Sequence, residues 1–403
     1  MGDRARIYAA SFLRALANGL AGVVLGIYLA KLGHSVVTLG LVLSAGLAGA
    51  TLATAIVTFY GDRFGRRRSL VALGALSAGG GLVVALSSDA AVIGAGAFLG
   101  MLTGMGKDRG AMLALESATL PASTDDAGRT RAFAWHAVLQ DAGQAFGGLL
   151  AVLPSVLRDT GLAGEIPSYR VTILLYAALI AASLPWYATL SARSDPPAAP
   201  KRAISPRSRS ILWKICALFS IDGVGGGFLG SALFSYFFFA FFGATEPQIA
   251  LLFLAGKVMS AASHLAAAWL ARRIGLVNTM VFTHIPSSLL LIAIPFAGSF
   301  WAAAALYLLR EGLAEMDVPT RTSYVMAVVQ PDERMFASGA TGIARLASWS
   351  VAPALAGVAI QTVSLATPLF IAAGLKIAYD VLLYAAFRRL QPPEERDATA
   401  LSK

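Results

Sequence analysis

A chain of 403 residues that is 57% hydrophobic and only 13% charged, with a mean hydropathy of +0.69, carries about half the charge of an ordinary soluble domain. Water is thereby excluded as the solvent around most of the chain, and little length remains for an extramembrane domain. One cysteine, Cys216, excludes an internal disulfide and a cysteine zinc cluster, and His34, His136, His264 and His284 are scattered. No P-loop, HExxH or GxSxG pattern supports an ATP-driven pump or a membrane enzyme.

A spanning helix needs about 20 largely apolar residues. Twelve such stretches follow in chain order: 7–32, 36–60, 69–88, 91–119, 132–157, 169–191, 210–242, 246–271, 277–297, 299–322, 336–362 and 367–388. The predicted fold class is an all-α integral membrane protein with twelve transmembrane helices. The first stretch, behind the basic Met1–Arg6, superficially resembles a signal peptide, but its apolar run is too long and reads as an uncleaved helix. The longest polar connection, Ser191 to Ser210, holds Pro196, Pro197, Pro200 and Pro206 with five bases, the composition of a linker. The expected organisation is an amino-terminal six-helix bundle over 1–191, a cytoplasmic linker over 192–209, a carboxyl-terminal bundle over 210–390 and a cytoplasmic tail over 391–403.

Twenty Lys and Arg residues fall at the termini and in the even-numbered loops, against three, Lys31, Arg158 and Arg170, on the other side. Basic loops stay in the cytoplasm, so both termini are expected there, in the plasma membrane of a bacterium. The net charge of +10 then reports topology. Nucleic-acid binding, the rival explanation of a pI near 9.9, does not suit bases spread over seven segments of a membrane chain.

The two halves read as a repeat. Gly33, Gly46 and Gly65 recur as Gly243, Gly256 and Gly275, each displaced by 210 residues. Arg109 and Glu116 match Arg310 and Asp317 at 201, and Arg131 with Phe133 matches Arg334 with Phe336 at 203. Several matches in order near half the length argue for duplication of a six-helix unit.

The loop Gly61-Asp62-Arg63-Phe64-Gly65-Arg66-Arg67-Arg68 resembles the signature loop of the major facilitator superfamily, with the Asp, Arg, Gly, Arg, Arg core intact and Thr58 where the leading glycine stands. The resemblance implies two pseudo-symmetric six-helix bundles that expose a central site alternately to the two sides. It also implies that Asp62, Arg63, Arg66 and Arg67 latch the cytoplasmic gate, the acid near the start of the eleventh helix and the arginines bridging to neighbouring helices. Positive-inside topology alone is the competing reading of the arginines. Exporter motifs of the superfamily are imperfect: Arg109 follows Gly104 and Gly106 where the family places its arginine before the glycines, and Gly143, Gly147 and Gly148 lack the proline that Pro353 and Gly357 retain.

Ionisable groups at membrane depth cost about 2.5–3.5 kcal/mol on insertion scales and so face a partner or water. They fall in span one (Arg14), span four (Lys107, Asp108, Arg109, Glu116), span seven (Asp222) and span ten (Arg310, Glu311, Glu315, Asp317), and spans three, six and nine are read as lacking them. The resemblance makes helices one, four, seven and ten the cavity lining. Arg14 and Asp222 each stand fourteen residues before a tyrosine, Tyr28 and Tyr236, and are read as equivalent positions. They are expected to meet as an ion pair across the cavity, direct or through water, with pairing inside their own halves as the alternative. Asn18 lies one turn above Arg14.

Arg14, Asn18, Lys107, Arg109, Asp222, Arg310 and Glu311 are the substrate-binding candidates. Asp108, Asp222, Glu311 and Glu315 are the proton-coupling candidates, with charge balance against Arg109 and Arg310 as the alternative. Asp141 and Arg345, with Lys257, are candidates to support the gate, and Lys376 and Asp380 are spaced for an intrahelical pair. The glycines after Asp222 suit close packing or local unwinding. No metal site and no cofactor are expected.

The function these features point to is secondary active transport of a polar, charged or zwitterionic small molecule, with proton-coupled export by antiport preferred. The alternatives are an uncoupled facilitator, an importer, a lipid flippase or a non-transporting sensor. Its partners would be the small molecule, protons or another coupling ion, and the lipid bilayer, with the carrier acting as a monomer and not as an enzyme.

Overall fold

The computed structural model describes residues 2–107, 110–120, 129–191, 205–316, 321 and 334–387. Its α-helices are α1 (Asp3–Lys31), α2 (Val36–Phe64), α3 (Arg66–Leu86), α4 (Ala90–Gly100), α5 (Ala111–Thr119), α6 (Arg129–Leu149), α7 (Leu153–Asp159), α8 (Glu165–Ala188), α9 (Pro206–Gly227), α10 (Ser231–Phe242), α11 (Glu246–Ile274), α12 (Leu276–Ala293), α13 (Phe300–Ala314), α14 (Arg334–Thr362) and α15 (Thr367–Phe387). No strand occurs among the described residues.

Nine helical runs among the described residues are long and apolar enough to cross a membrane. They coincide with expected spans one, two, three, six, seven, eight, nine, eleven and twelve. The other three are occupied by α4 and α5, by α6 and α7, and by α13. Span four is not the continuous helix expected over 91–119: it divides into α4 and α5 around a non-helical stretch in which Met101, Gly104 and Gly106 all have positive φ. Span five divides into α6 and α7 through a 3₁₀ turn, Leu150–Val152, ahead of Pro154. Span ten is helical as far as Ala314.

The glycines that recur at a displacement of 210 also share a backbone state. Gly33 and Gly243 have φ of +83° and +63° at the ends of α1 and α10, and Gly65 and Gly275 have +82° and +85° between α2 and α3 and between α11 and α12. A Cβ disfavours that region, so glycine at these four places permits the sharp reversals between helices.

The chain forms two compact units, one of residues 1–200, 229–254 and 349–365, the other of 201–228, 255–348 and 366–403. These units cut across the sequence halves, because two segments of the second half pack with the first. The crossing points are the break between α9 and α10 and the interiors of α11 and α14.

In the first unit α1 packs against α6, α8 and α10, while α3 packs against α4 and α8. Lipid removes the hydrophobic drive between helices, so close packing of small residues takes its place. A Cβ at Gly22 would collide with the Gly106 backbone, one at Gly26 with the Ala232 carbonyl, and one at Gly40 with the Pro353 carbonyl. In the second unit α12 packs against α13 and α15, and α9 against α15, around Leu212, Ile215, Phe219, Met280, Tyr379 and Leu383.

Candidate functional site

The first unit gathers a charge cluster from four helices. Arg14 of α1 donates through NH2 to Glu116 Oε2 of α5 at 2.5 Å and through Nε to the Tyr187 hydroxyl of α8 at 3.2 Å. That hydroxyl donates in turn to Glu116 Oε1. His136 of α6 places Nε2 3.0 Å from Glu116 Oε2 and 3.1 Å from Ser11 Oγ, and Gln140 Nε2 donates to the same Ser11 oxygen at 3.0 Å. Arg14 is 2% exposed and Glu116 is fully buried. Losing either partner would strand a buried charge, at a loss of about 3–5 kcal/mol.

A second cluster lies in the second unit. Asp222 of α9 accepts from Arg321 NH1 at 3.0 Å, from Arg345 NH2 of α14 at 3.1 Å and from Lys376 Nζ of α15 at 2.9 Å. Lys376 Nζ also lies 3.4 Å from His284 Nε2 of α12, whose Nδ1 stands 3.0 Å from both carboxylate oxygens of Asp380. Glycines beside Asp222 admit this crowding. A Cβ at Gly223 would lie 2.8 Å from Ser348 Cβ, and one at Gly225 would lie 3.3 Å from Lys376 Cγ. Close packing is therefore realised at Gly223 and Gly225, and unwinding follows at Phe228–Gly230.

The breaks in helices four and seven meet inside the first unit. The Ala232 N–H donates to the Gly104 carbonyl at 2.9 Å, and Ser231 Oγ donates to the Met105 carbonyl at 2.9 Å. Irregular backbone at membrane depth is tolerated where it is buried in protein or lines a cavity, and here the first turn of α10 supplies the missing hydrogen bonds. Lys107 sits in this stretch, partly buried. Asp108 and Arg109 lie outside the described residues, as do Asp317, residues 192–204 of the expected linker, and the tail.

Each charge has a counter-ion inside its own unit: Glu116 neutralises Arg14, and Lys376, Arg321 and Arg345 neutralise Asp222. The expected intrahelical pairing of Lys376 and Asp380 is corrected by the geometry, since the lysine turns to α9 and the carboxylate to the histidine of α12. His136, Tyr187, His284 and Arg321 enter the clusters without having been singled out. The helical spacing of His136 and Gln140 was one signal, and another was His284 itself, an ionisable group in the ninth span, which was read as having none.

Of the remaining candidates, Asn18 is partly buried and makes no side-chain hydrogen bond among the described residues. Arg310 pairs with the adjacent Glu311, and His264 Nε2 lies 3.8 Å from Glu315. Asp141 is exposed and Lys257 partly buried. The Asp62 backbone lies in the last turn of α2, and its side chain is outside the description. Arg63 stacks its guanidinium 5.8 Å from the Tyr60 ring. Arg66 donates to the Ala118 carbonyl at 2.6 Å and Arg67 to the Leu190 carbonyl at 3.4 Å, so both hold the carboxyl ends of neighbouring helices, where cations are favoured.

Toward one end of the first unit, Arg158 NH2 donates to Glu246 Oε1 at 2.7 Å, the Tyr169 hydroxyl donates to the same carboxylate, and Lys31 Nζ donates to Glu165 Oε1 at 2.5 Å. Partial burial works against the Arg158 charge, but the Glu246 carboxylate outweighs it and holds the guanidinium proton more tightly than usual.

The sequence profile of the Major Facilitator Superfamily matches residues 7–310. An uncharacterized membrane protein of Saccharomyces cerevisiae is 25% identical over 416 residues, which cover 94% of this chain and 93% of that protein. The crystal structure of the nucleoside transporter NupG is similar at a TM-score of 0.72 and 16% identity, over 96% of this chain and 99% of that one. A bacterial homologue of the human lysosomal transporter Spinster, solved in an inward-facing and occupied conformation, is similar at 0.71 and 14% identity, over 95% of this chain and 94% of that one. At these identities the likeness is one of fold.

Proposed function

The chain belongs to the major facilitator superfamily, and from that premise we propose that this multi-pass membrane transporter is a proton-coupled secondary carrier that exports a polar, charged or zwitterionic small molecule by antiport. The proposal includes twelve crossings, with α4–α5, α6–α7 and α13 completing the nine long helical runs. It also includes cytoplasmic termini, a plasma-membrane location and a monomeric carrier.

The observation that carries the coupled reading is the pairing of a buried carboxylate with a histidine in each unit, Glu116 with His136 and Asp380 with His284. A histidine beside a carboxylate offers a ring nitrogen that can bind a proton while the carboxylate keeps a partner. Burial of ions in a membrane chain also calls for a return, and a substrate or ion pathway is the usual one. A second reading, the uncoupled facilitator, is favoured by the full ion pairing of Glu116 and Asp222, which leaves both carboxylates occupied.

Thermal stabilisation separates candidate substrates, because a compound that binds only the folded carrier raises its apparent stability. Amino acids, nucleosides and small organic anions are screened against the purified protein, and the stabilising compound is then followed in proteoliposomes. Accumulation driven by a pH gradient and abolished by a protonophore supports antiport. Counterflow that ignores the gradient establishes the facilitator instead.

A further inference from the structure

His284 is 2% exposed, and its two ring nitrogens meet opposite charges. Nδ1 stands 3.0 Å from both oxygens of Asp380, a carboxylate that can only accept when ionised, so Nδ1 carries the hydrogen. Nε2 then presents a lone pair, and its donor is Lys376 Nζ at 3.4 Å. The ring is neutral in this arrangement, and the hydrogen-bond pattern fixes its tautomer. Lys376 in turn donates to Asp222. Four side chains from α9, α12 and α15 thus form one line: Asp380, His284, Lys376, Asp222.

We propose that His284 is the proton-binding group of the second unit and that its protonation releases Lys376 from Asp222, an inference that rests on the proton-coupled reading above. A proton arriving at Nε2 occupies the lone pair that Lys376 uses. No covalent bond breaks, and the line gains one positive charge. Imidazolium and ammonium would then face each other across 3.4 Å with no acceptor between them. Lysine is the member able to leave, because its charge rides on a flexible four-carbon stem.

Both ends of the line tolerate the departure. Asp222 keeps Arg321 at 3.0 Å and Arg345 at 3.1 Å, so it is not left as a lone buried charge. Asp380 gains a full ion pair with the imidazolium. The other groups facing His284 are Tyr379 of α15, edge-on at 6.2 Å between ring centroids, the Arg321 charge, which Asp222 occupies, and the Arg310 charge of α13, which Glu311 occupies. None of them supplies a competing acceptor to Nε2. Both carboxylates of the line are therefore paired in either arrangement. Asp222 is the less suitable proton acceptor, since three cations hold its oxygens, whereas a single movable donor guards the histidine.

The full-length protein in nanodiscs, labelled with ¹⁵N on its four histidines and on its lysines, tests this directly. His284 is assigned by its disappearance in His284→Gln. As the pH is lowered from about 8 through the range in which the carrier stays folded, its ring should pass from the neutral Nδ1–H form to the imidazolium, and the Lys376 ammonium signal should shift in step. A ring that stays neutral over that range, or a Lys376 signal that stays fixed while the ring protonates, overturns the proposal.

His284→Gln can still accept from Lys376 and donate to Asp380 but cannot take a proton. It should lose at least tenfold in flux driven by a pH gradient while keeping exchange at equal pH. Gradient-driven flux that survives in this variant also overturns the proposal. The two readings fail separately. A ring that titrates as described in a carrier whose flux ignores pH supports the proton site and refutes coupled transport, whereas proton-driven flux with a silent His284 refutes the site alone.

Discussion

Arg14 and Glu116 are 102 residues apart in the chain, and the arginine donates to the carboxylate at 2.5 Å. Around that contact α1, α5, α6 and α8 are fastened by Tyr187, His136, Ser11 and Gln140. The pair therefore serves two ends at once, since it neutralises two charges at membrane depth and fixes four helices around one carboxylate.

Glu116→Ala should lower the stability of the purified carrier by about 3–5 kcal/mol, because Arg14 would remain buried without its counter-ion. Replacing both partners together, with Arg14→Met and Glu116→Leu, should recover most of that loss. Unfolding followed by the fluorescence of the six tryptophans reads both. A double variant as unstable as the single one would mean that the other hydrogen bonds of the cluster, and not the stranded charge, dominate.

The length and polarity of most helices were legible before the structure, because hydropathy reports the transfer of whole segments and needs no partner. The glycine pairs Gly33 with Gly243 and Gly65 with Gly275 were legible too, and their shared positive φ gives the spacing a physical meaning. Backbone breaks inside apolar runs were not legible: Gly104 and Gly106 contribute to hydropathy without announcing φ of +62° and +65°. Partners were the hardest part. The helical spacing of Lys376 and Asp380 suggested a local pair, yet Asp222 and His284, 154 and 96 residues distant from them, took the two groups when the helices assembled. Local spacing shows which side chains share a face but says nothing of what other helices bring to it.

Gly26→Val should weaken the packing of α1 against α10, since its Cβ would meet the Ala232 carbonyl. Overpacking of this kind costs about 1–3 kcal/mol. Gly94→Ala is the control, because nothing lies within 4 Å of the added carbon and an alanine favours the helix. Thermal midpoints should fall for the first and hold or rise for the second. An unaffected Gly26 variant would show that α1 and α10 have room to separate.

Glu246→Gln should loosen the contact made by Arg158 and Tyr169. Hydrogen bonds to a charged group contribute roughly 1–3 kcal/mol, and the 26% exposure of the Arg158 side chain places this one at the low end. Faster amide hydrogen exchange across Gly243–Thr245 and the first turn of α11 is the expected readout. The exchanged pair, Arg158→Glu with Glu246→Arg, should slow it again, unless the tyrosine hydroxyl alone carries the contact.

Arg66→Ala separates the two readings of the basic loop. Its hydrogen bond to the Ala118 carbonyl, at a helix end and near solvent, contributes about 0.3–1 kcal/mol, so folding should survive the change. If the arginine does no more than bias topology, Arg66→Lys and Arg66→Ala should differ little in flux, because three neighbouring bases, Arg63, Arg67 and Arg68, still hold the loop in place. If it latches the gate, alanine should reduce flux more than tenfold with the protein folded and correctly inserted. Lysine should recover only part of that, since an ammonium lacks the planar fork that can grip a helix end and a second partner together. The measurement is initial flux of the stabilising compound per folded carrier, and equal rates in all three proteins would leave topology as the arginine's whole role.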